Sequence, residues 1–370
     1  MCKKRHVRWE IVAFSMILIV YLVGCVGGGC DGEEDATPVI LTDYSLGEGS
    51  IQASWISNSG QIVHDHTRSA LYRLGNQEII AVDLENGAQN SLVSLPFDPA
   101  GIRLTTDDAN LYILETEESA DADNGRPDLV QYDIQNDLLG TVKIEIDSSL
   151  AVEDFIVTTN GRVVVACYND SDDSTLQNLY LYNTNGELLD TDNGIYSGYF
   201  PDLALNWDQE TLVYEIMGTR SIGINVLSIN GDEFSEVYFA NRLLAFGALN
   251  TYEPNGDRLF RSSGEVLFGE ETDDGQIPPY IAIDFDLTHK ILVLLVRQAD
   301  NYLVGYYDLG TLALLSEQEL PQIEGLEGFR PAGIWISGGL YLMFEDVVTN
   351  EFGETFSGEN KSLVRFNFAY

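Results

Sequence analysis

The chain has 370 residues, 45% of them hydrophobic, and a formal net charge of −40 from 19 basic and 59 acidic residues. That apolar content suffices for a sizeable core in one large domain. The negative field repels nucleic acid and anionic headgroups, leaving cations and basic protein surfaces as better partners.

Met1 to Arg8 carries Lys3, Lys4, Arg5 and Arg8, and Ile11 to Gly24 is an almost unbroken apolar run. A basic stretch, an apolar stretch and then small residues is the order of a secretory signal. Leu22-Val23-Gly24-Cys25 resembles the lipobox of bacterial lipoproteins. The resemblance implies cleavage before Cys25, a lipid on that residue, and an extracytoplasmic protein held on a bacterial membrane, the outer membrane or cell surface. The residues alone leave an uncleaved helix over Ile11 to Val26 as the alternative, although a span needs about 20 apolar residues. Both readings put the bulk of the chain outside, because the basic flank comes first and Asp31-Gly32-Glu33-Glu34-Asp35 follows. Cys30 is the poorer attachment point, since Gly27-Gly28-Gly29 offers no aliphatic residue before it. One acyl chain holds a protein marginally and two or more hold it stably; the tri-acyl modification implied by the lipobox meets that condition.

The expected organisation is a signal over 1–24, a flexible acidic tether over 25–49, and one folded domain over 50–370. Removing the signal takes away four basic residues and one acid, and the net charge moves to −43. The mature chain keeps only three lysines, Lys143, Lys290 and Lys361. Such a surface suits a saline habitat, where salt screens the self-repulsion; plain solubility is the alternative. The four cysteines make no disulfide framework. Cys167 follows Val163-Val164-Val165-Ala166 and reads as a buried thiol in a core strand.

Beyond the tether the pattern is strands throughout, punctuated by Asn-Gly, Asp-Gly and Asp-Asp turns, with no helical period. A unit of apolar strand, polar turn and second strand recurs. It is read at Ile62-Val63 with Leu71-Tyr72, Ile102 to Leu104 with Leu111 to Leu114, and Phe155 to Val157 with Val163 to Val165. It continues at Leu203 to Leu205 with Leu212 to Tyr214, and at Phe246 to Leu249 with Leu259-Phe260. Ile281 to Phe285 with Ile291 to Leu295, and Gly333 to Ile336 with Leu340 to Leu342, complete seven. Several units go on to a third strand ending in a polar turn, as at Ile79 to Gly87 and Leu179 to Gly186, and then a fourth. The spacing suits propeller repeats of about 40–50 residues better than solenoids. The expectation is an all-β, seven-bladed β-propeller of four-stranded antiparallel blades.

Asn206-Trp207-Asp208 to Tyr214 and Glu253-Pro254-Asn255-Gly256-Asp257 to Phe260 resemble the Ser-Pro-Asp-Gly turn of WD40-like repeats. Leu71 to Leu74 with Ile79 to Gly87 resembles quinoprotein-like and YVTN-type propellers. These loose likenesses imply architecture and not activity. The last unit supplies three strands, and Ser50 to Ile56 alternates as a strand without a blade. Pairing the two closes the ring. The fifth unit has only the acidic stretch Glu270 to Gly275 after Glu265 to Phe268, so its outer strand is expected to be missing.

Chemistry is sparser. His64-Asp65-His66 places two imidazoles on one strand face, where both could meet a metal. No third imidazole is near in sequence, His289 lies in a similar turn elsewhere, and a polar turn is the default. Asp121, Asp123 and Asp128 in Asp121-Ala122-Asp123-Asn124-Gly125-Arg126-Pro127-Asp128 suit a calcium ion, with alternating oxygen ligands and a glycine for the bend. The loop departs from the EF-hand pattern at Gly125, and a solvated acidic turn is the alternative. Asn169 to Asp173, Asp190 to Asp192 and Asp273-Asp274 are weaker candidates of the same kind. No phosphate loop or nucleophile elbow occurs, and no catalytic residue is assigned. The leading reading is a membrane-anchored binding or scaffolding propeller with a protein partner. The alternatives are a propeller enzyme of quinoprotein or lactonase type acting at the central channel, and a component of an outer-membrane assembly complex.

Overall fold

The second strand is strongly apolar in most repeats, and in a computed structural model it lies where a sheet is covered on both faces. The structure describes residues 46–56, 61–105, 107–115, 129–140, 144, 150–158, 160–169, 176–196, 203–206, 210–217, 222–241, 250–254, 256, 258–268, 272–299, 301–349 and 354–368. Among these residues there is no helix, and hence none long and apolar enough to cross a membrane.

The first strand, β1 (Leu46–Ile56), is set aside for the last blade. Blade 1 is β2 (Ile62–Asp65), β3 (Ala70–Leu74), β4 (Glu78–Asp83) and β5 (Gln89–Ser94), hydrogen-bonded in that order. Blade 2 is β6 (Pro99–Leu104), β7 (Asn110–Glu115), β8 (Leu129–Asp133) and β9 (Leu138–Leu139). Blade 3 is β10 (Leu150–Val157), β11 (Val163–Asn169), β12 (Leu176–Tyr182) and β13 (Leu188–Tyr196). Blade 4 is β14 (Ala204–Leu205), β15 (Thr211–Met217), β16 (Ile222–Asn230) and β17 (Glu233–Asn241). Blade 5 is β18 (Asn250–Tyr252), β19 (Arg258–Arg261), β20 (Glu265–Phe268) and β21 (Thr272–Gln276). Blade 6 is β22 (Ala282–Asp286), β23 (Ile291–Gln298), β24 (Asn301–Asp308) and β25 (Leu314–Glu319). Blade 7 runs β26 (Phe329–Ile336), β27 (Leu340–Thr349), β28 (Thr355–Phe368) and then β1. This is the seven-bladed propeller of four antiparallel strands that the repeats imply.

Burial explains why the repeats are readable. β3 is buried along its length, as are the first six residues of β23 and of β27, whereas the outer strands β5 and β25 are mostly exposed. The core is a series of layers between successive blades. One layer joins Tyr72 and Ile79 of blade 1 to Ile102 and Ile113 of blade 2, and another joins Val164 and Leu181 of blade 3 to Leu212 and Leu227 of blade 4. Cys167 is buried in the layer between blades 2 and 3 with Tyr112 and Phe155. Aspartates at the ends of third strands fold the outer hairpins. Asp83 accepts the Glu85 N–H at 2.7 Å, Asp133 the Gln135 and Asn136 N–H groups at 3.0 Å, and Asp308 the Thr311 N–H at 2.7 Å. Part of the chain's acidity therefore serves turn geometry.

β1 pairs with β28 in the register Ala53–Leu363, Ser54–Ser362, Trp55–Lys361, so the N-terminal strand closes the ring as expected. It starts at Leu46, four residues before Ser50. One expectation for the fifth unit is corrected. Its outer strand is present: β21 pairs with β20, Glu265 opposite Gln276 and Phe268 opposite Thr272. An outer strand is held by backbone hydrogen bonds, so an acidic sequence does not forbid it. Its inner strand is Asn250–Tyr252, while the expected Phe246 to Leu249 lies outside the described residues.

Candidate functional site

In four blades one side chain caps the turn from the inner strand to the second strand. In blade 1, Asp65 accepts the Arg68 N–H at 2.7 Å; in blades 2 and 3, the hydroxyls of Thr105 and Thr158 accept N–H groups from Asn110 and Arg162 at 3.0 Å. In blade 6, Asp286 accepts the His289 N–H at 3.1 Å. These turns ring one mouth of the central channel. A cavity of about 830 Å³ opens there, and blades 1, 2, 4, 5, 6 and 7 all contribute to it. Val63, Leu104, Leu205, Phe285 and Ile336 supply apolar wall, and His64, His66, Arg103 and His289 supply polar groups.

Most charges around this mouth are matched locally. Arg103 pairs with Asp154 and donates its Nε–H to the Phe155 carbonyl at 3.0 Å. Arg258 grips Glu253 through two hydrogen bonds of 2.7 and 2.9 Å. The His289 ring meets Asp286 at 2.8 Å.

The histidine pair differs. His64 is the third residue of β2 and His66 begins the turn, so the two-residue period of a strand sends both to one side. Their ring centroids are 3.9 Å apart. Neither ring nitrogen of His64, both buried, meets a hydrogen-bond partner among the described residues. Burial, helped by His66, pulls the His64 pKa down to about 3, so the ring is neutral with its lone pair free. Asp65 points the other way and is fully buried, accepting bonds from Arg68 Nη1 at 2.8 Å and the Tyr72 hydroxyl at 2.7 Å. Burial raises the Tyr72 hydroxyl pKa, and the Asp65 charge adds to the rise. The next residue is anchored too: Thr67 donates its N–H and hydroxyl to Asp108 at 3.0 and 2.8 Å. The turn that presents His66 is thus fixed on both sides.

A third group arrives from blade 6. Asp284 lies with His64 and His66 so that one ligand atom from each falls within 4.8 Å of the others. Burial raises its pKa to about 6, opposed by His66 and by the Phe285 and Ile336 N–H groups. The sequence reading found the histidine pair but not this carboxylate. Its signal was an acid in the otherwise apolar Ala282-Ile283-Asp284-Phe285. His289 lines the same mouth, but the structure brings a carboxylate to the pair, not a third imidazole. Asp121, Asp123 and Asp128, like Cys25, lie outside the described residues. Two acids of another weak candidate join blades 3 and 4: Asp190 accepts the Phe234 N–H at 2.7 Å and Asp192 the Tyr214 hydroxyl at 3.2 Å.

The strand order and this mouth make the chain a seven-bladed β-propeller. No protein-family model matches it, and no curated protein matches it. Among solved structures it is similar to TolB from Acinetobacter baumannii, at 11% identity over 69% of this chain with a TM-score of 0.41. The match spans 64% of the TolB chain. It is also similar to a protein from Lactobacillus plantarum, at 16% identity, 72% of this chain, 86% of that one and a TM-score of 0.46. A gluconolactonase from Xanthomonas campestris matches at 11% identity over 88% of this chain and 97% of its own, with a TM-score of 0.43. At these levels the likeness concerns fold alone.

Proposed function

We propose that the chain is an extracytoplasmic, lipid-anchored binding propeller whose recognition site is the mouth of its central channel. The observation that carries the reading is the cavity of about 830 Å³ walled by six blades. Ligand pockets usually hold about 300–1,000 Å³ and combine apolar wall with few polar groups. The disc supplies a rigid frame, and the turns supply the variable surface. The strong negative charge favours neutral or cationic ligands. Anchoring is supported by the basic start, the apolar run and Leu22-Val23-Gly24-Cys25.

Two measurements test it. A thermal-shift screen of small polar organic molecules should return stabilising ligands whose effect is lost in Leu287→Trp, a rim residue that is exposed and lines the cavity. No stabilising ligand, or stabilisation indifferent to that substitution, rejects the mouth as the site. Intact-mass analysis should show acyl groups on the wild-type chain and none on Cys25→Ala. An unchanged mass increment removes the anchor.

A further inference from the structure

We infer that His64, His66 and Asp284 form a binding site for one divalent transition-metal ion, with an open coordination position facing the channel-mouth cavity. The ligand set is two imidazoles and one carboxylate, which suits zinc and its first-row neighbours. Calcium and magnesium prefer oxygen alone.

Three observations carry it independently of the cavity's shape. First, a buried imidazole with both nitrogens unpartnered loses hydration without compensation. A metal–nitrogen bond would give one of the two nitrogens its partner. Second, the geometry converges. A tetrahedral zinc ion with bonds of about 2.0–2.1 Å sets its ligand atoms roughly 3.4 Å apart. The three atoms lie within 4.8 Å of one another and need to draw in by at most about 1.4 Å. His66, on an exposed turn position, has the side-chain freedom to do this.

Third, the carboxylate is held by a neighbour that orients it, as metal ligands commonly are. Asp284 Oδ2 accepts the Ile336 N–H of blade 7 at 2.6 Å. Two other blades use a side chain for a similar clamp, Gln61 on Ile102 N–H at 2.9 Å and Asp154 on Leu203 N–H at 3.1 Å. Gln61 and Asp154 both sit four residues before their turn caps, Asp65 and Thr158. Asp284 sits only two before Asp286, closer to the mouth. Its donor Ile336 lies correspondingly nearer the mouth, directly before the turn at Ser337, and this displaced clamp is what brings the carboxylate to the histidines.

Asp284 is buried behind the pair, whereas His64 and His66 line the cavity. Three protein ligands at the back leave the fourth position of a tetrahedral ion pointing forward, as in sites that bind or activate an exogenous group. This deepens the reading of the mouth as a binding site, and it rests on that reading only for the role of the open position. The ion would receive an oxygen or nitrogen donor of whatever enters. Metal binding itself is measured without any organic ligand, so the two proposals fail separately.

The test uses the full-length chain, freed of metal by a chelator and kept in excess Mg²⁺ to occupy the general acidic surface. Calorimetric titration with Zn²⁺ should give one site per chain. His66→Ala, an exposed change that leaves the fold intact by circular dichroism, should weaken it at least about tenfold, the lower end of what losing even a supporting group costs. Asp284→Asn keeps the acceptor for Ile336 and should weaken it as well. Co²⁺ in place of Zn²⁺ should show the visible absorption of a four-coordinate ion, and adding azide should shift it through the open position. Binding that persists unchanged in His66→Ala, or that is displaced equally by Ca²⁺ at matched ionic strength, overturns the site. A Co²⁺ spectrum indifferent to azide overturns the open position.

Discussion

Asp154 and Leu203 belong to successive blades, and the Asp154 carboxylate accepts the Leu203 N–H at 3.1 Å across the gap. An inner strand has one edge paired within its own blade and the other turned to the channel, where its N–H groups lack a strand partner. A side chain from the preceding blade fills that role. Asp154 also receives Arg103 from blade 2, so one carboxylate ties three blades together.

Replacing Asp154 by alanine should therefore lower stability by about 3–5 kcal/mol, the usual cost of stranding a buried charge partner. Asp154→Asn keeps the Leu203 bond and should cost less. Urea denaturation of the two variants orders the effects; equal loss would show that the Leu203 bond contributes nothing.

Glu345 predicts the acid response. Lys361 at 2.8 Å, Arg330 at 2.9 Å and the Ser357 hydroxyl at 2.7 Å all reach it. Burial alone would raise its pKa, but these three partners outweigh burial and hold it below the ordinary carboxylate value. A depressed folded pKa means the unfolded chain takes up the proton first. The stabilisation is complete above the unfolded pKa and drains away as pH falls through the folded one. The urea midpoint of wild type should drop on acidification below about pH 4.3, and Glu345→Gln should flatten that part of the profile while lowering the neutral-pH plateau. A parallel profile in the variant would remove Glu345 from the acid response.

The blades were legible because propeller packing buries second strands on both faces, which forces runs such as Ile291-Leu292-Val293-Leu294-Leu295. β21 was not legible. Thr272-Asp273-Asp274-Gly275-Gln276 is an outer strand defined by backbone pairing, so its side chains carry no apolar pattern. The site was half legible for a related reason. His64 and His66 are local, and strand periodicity joins them. Asp284 meets them only because the ring places blade 6 within reach of blade 1, and no local pattern encodes that.

Gly87 tests how tightly the ring is shut. It turns β4 into β5 at φ +73°, and a Cβ there would stand 2.1 Å from the Gln52 carbonyl oxygen of β1. Left-handed backbone costs a non-glycine residue about 1–2 kcal/mol before any clash. Gly87→Ala should exceed that, since the obstacle is backbone on the closing strand. Gly231→Ala, also at positive φ (+66°) but with nothing within 4 Å, is the control and should show the conformational cost alone. Equal thermal shifts in both would mean that the closing strand yields freely.

The closing strand itself gives the strongest expectation. Ala53 and Trp55 of β1 enter a layer with Leu71 and Val82 of blade 1 and with Tyr341 and Leu363 of blade 7. Trp55 also lies under the Arg73 guanidinium, 5.3 Å from ring to cation. β1 thus completes blade 7 by hydrogen bonds and joins it to blade 1 by packing. Trp55→Ala should cost about 3–5 kcal/mol, as for other buried aromatic truncations. Deleting residues 26–45 should leave the melting temperature nearly unchanged, while extending the deletion through residue 56 should abolish cooperative unfolding, because β28 then exposes an unpaired edge and the first and last blades lose their shared core. A cooperative melt in the longer deletion would show that the ring holds without its N-terminal strand.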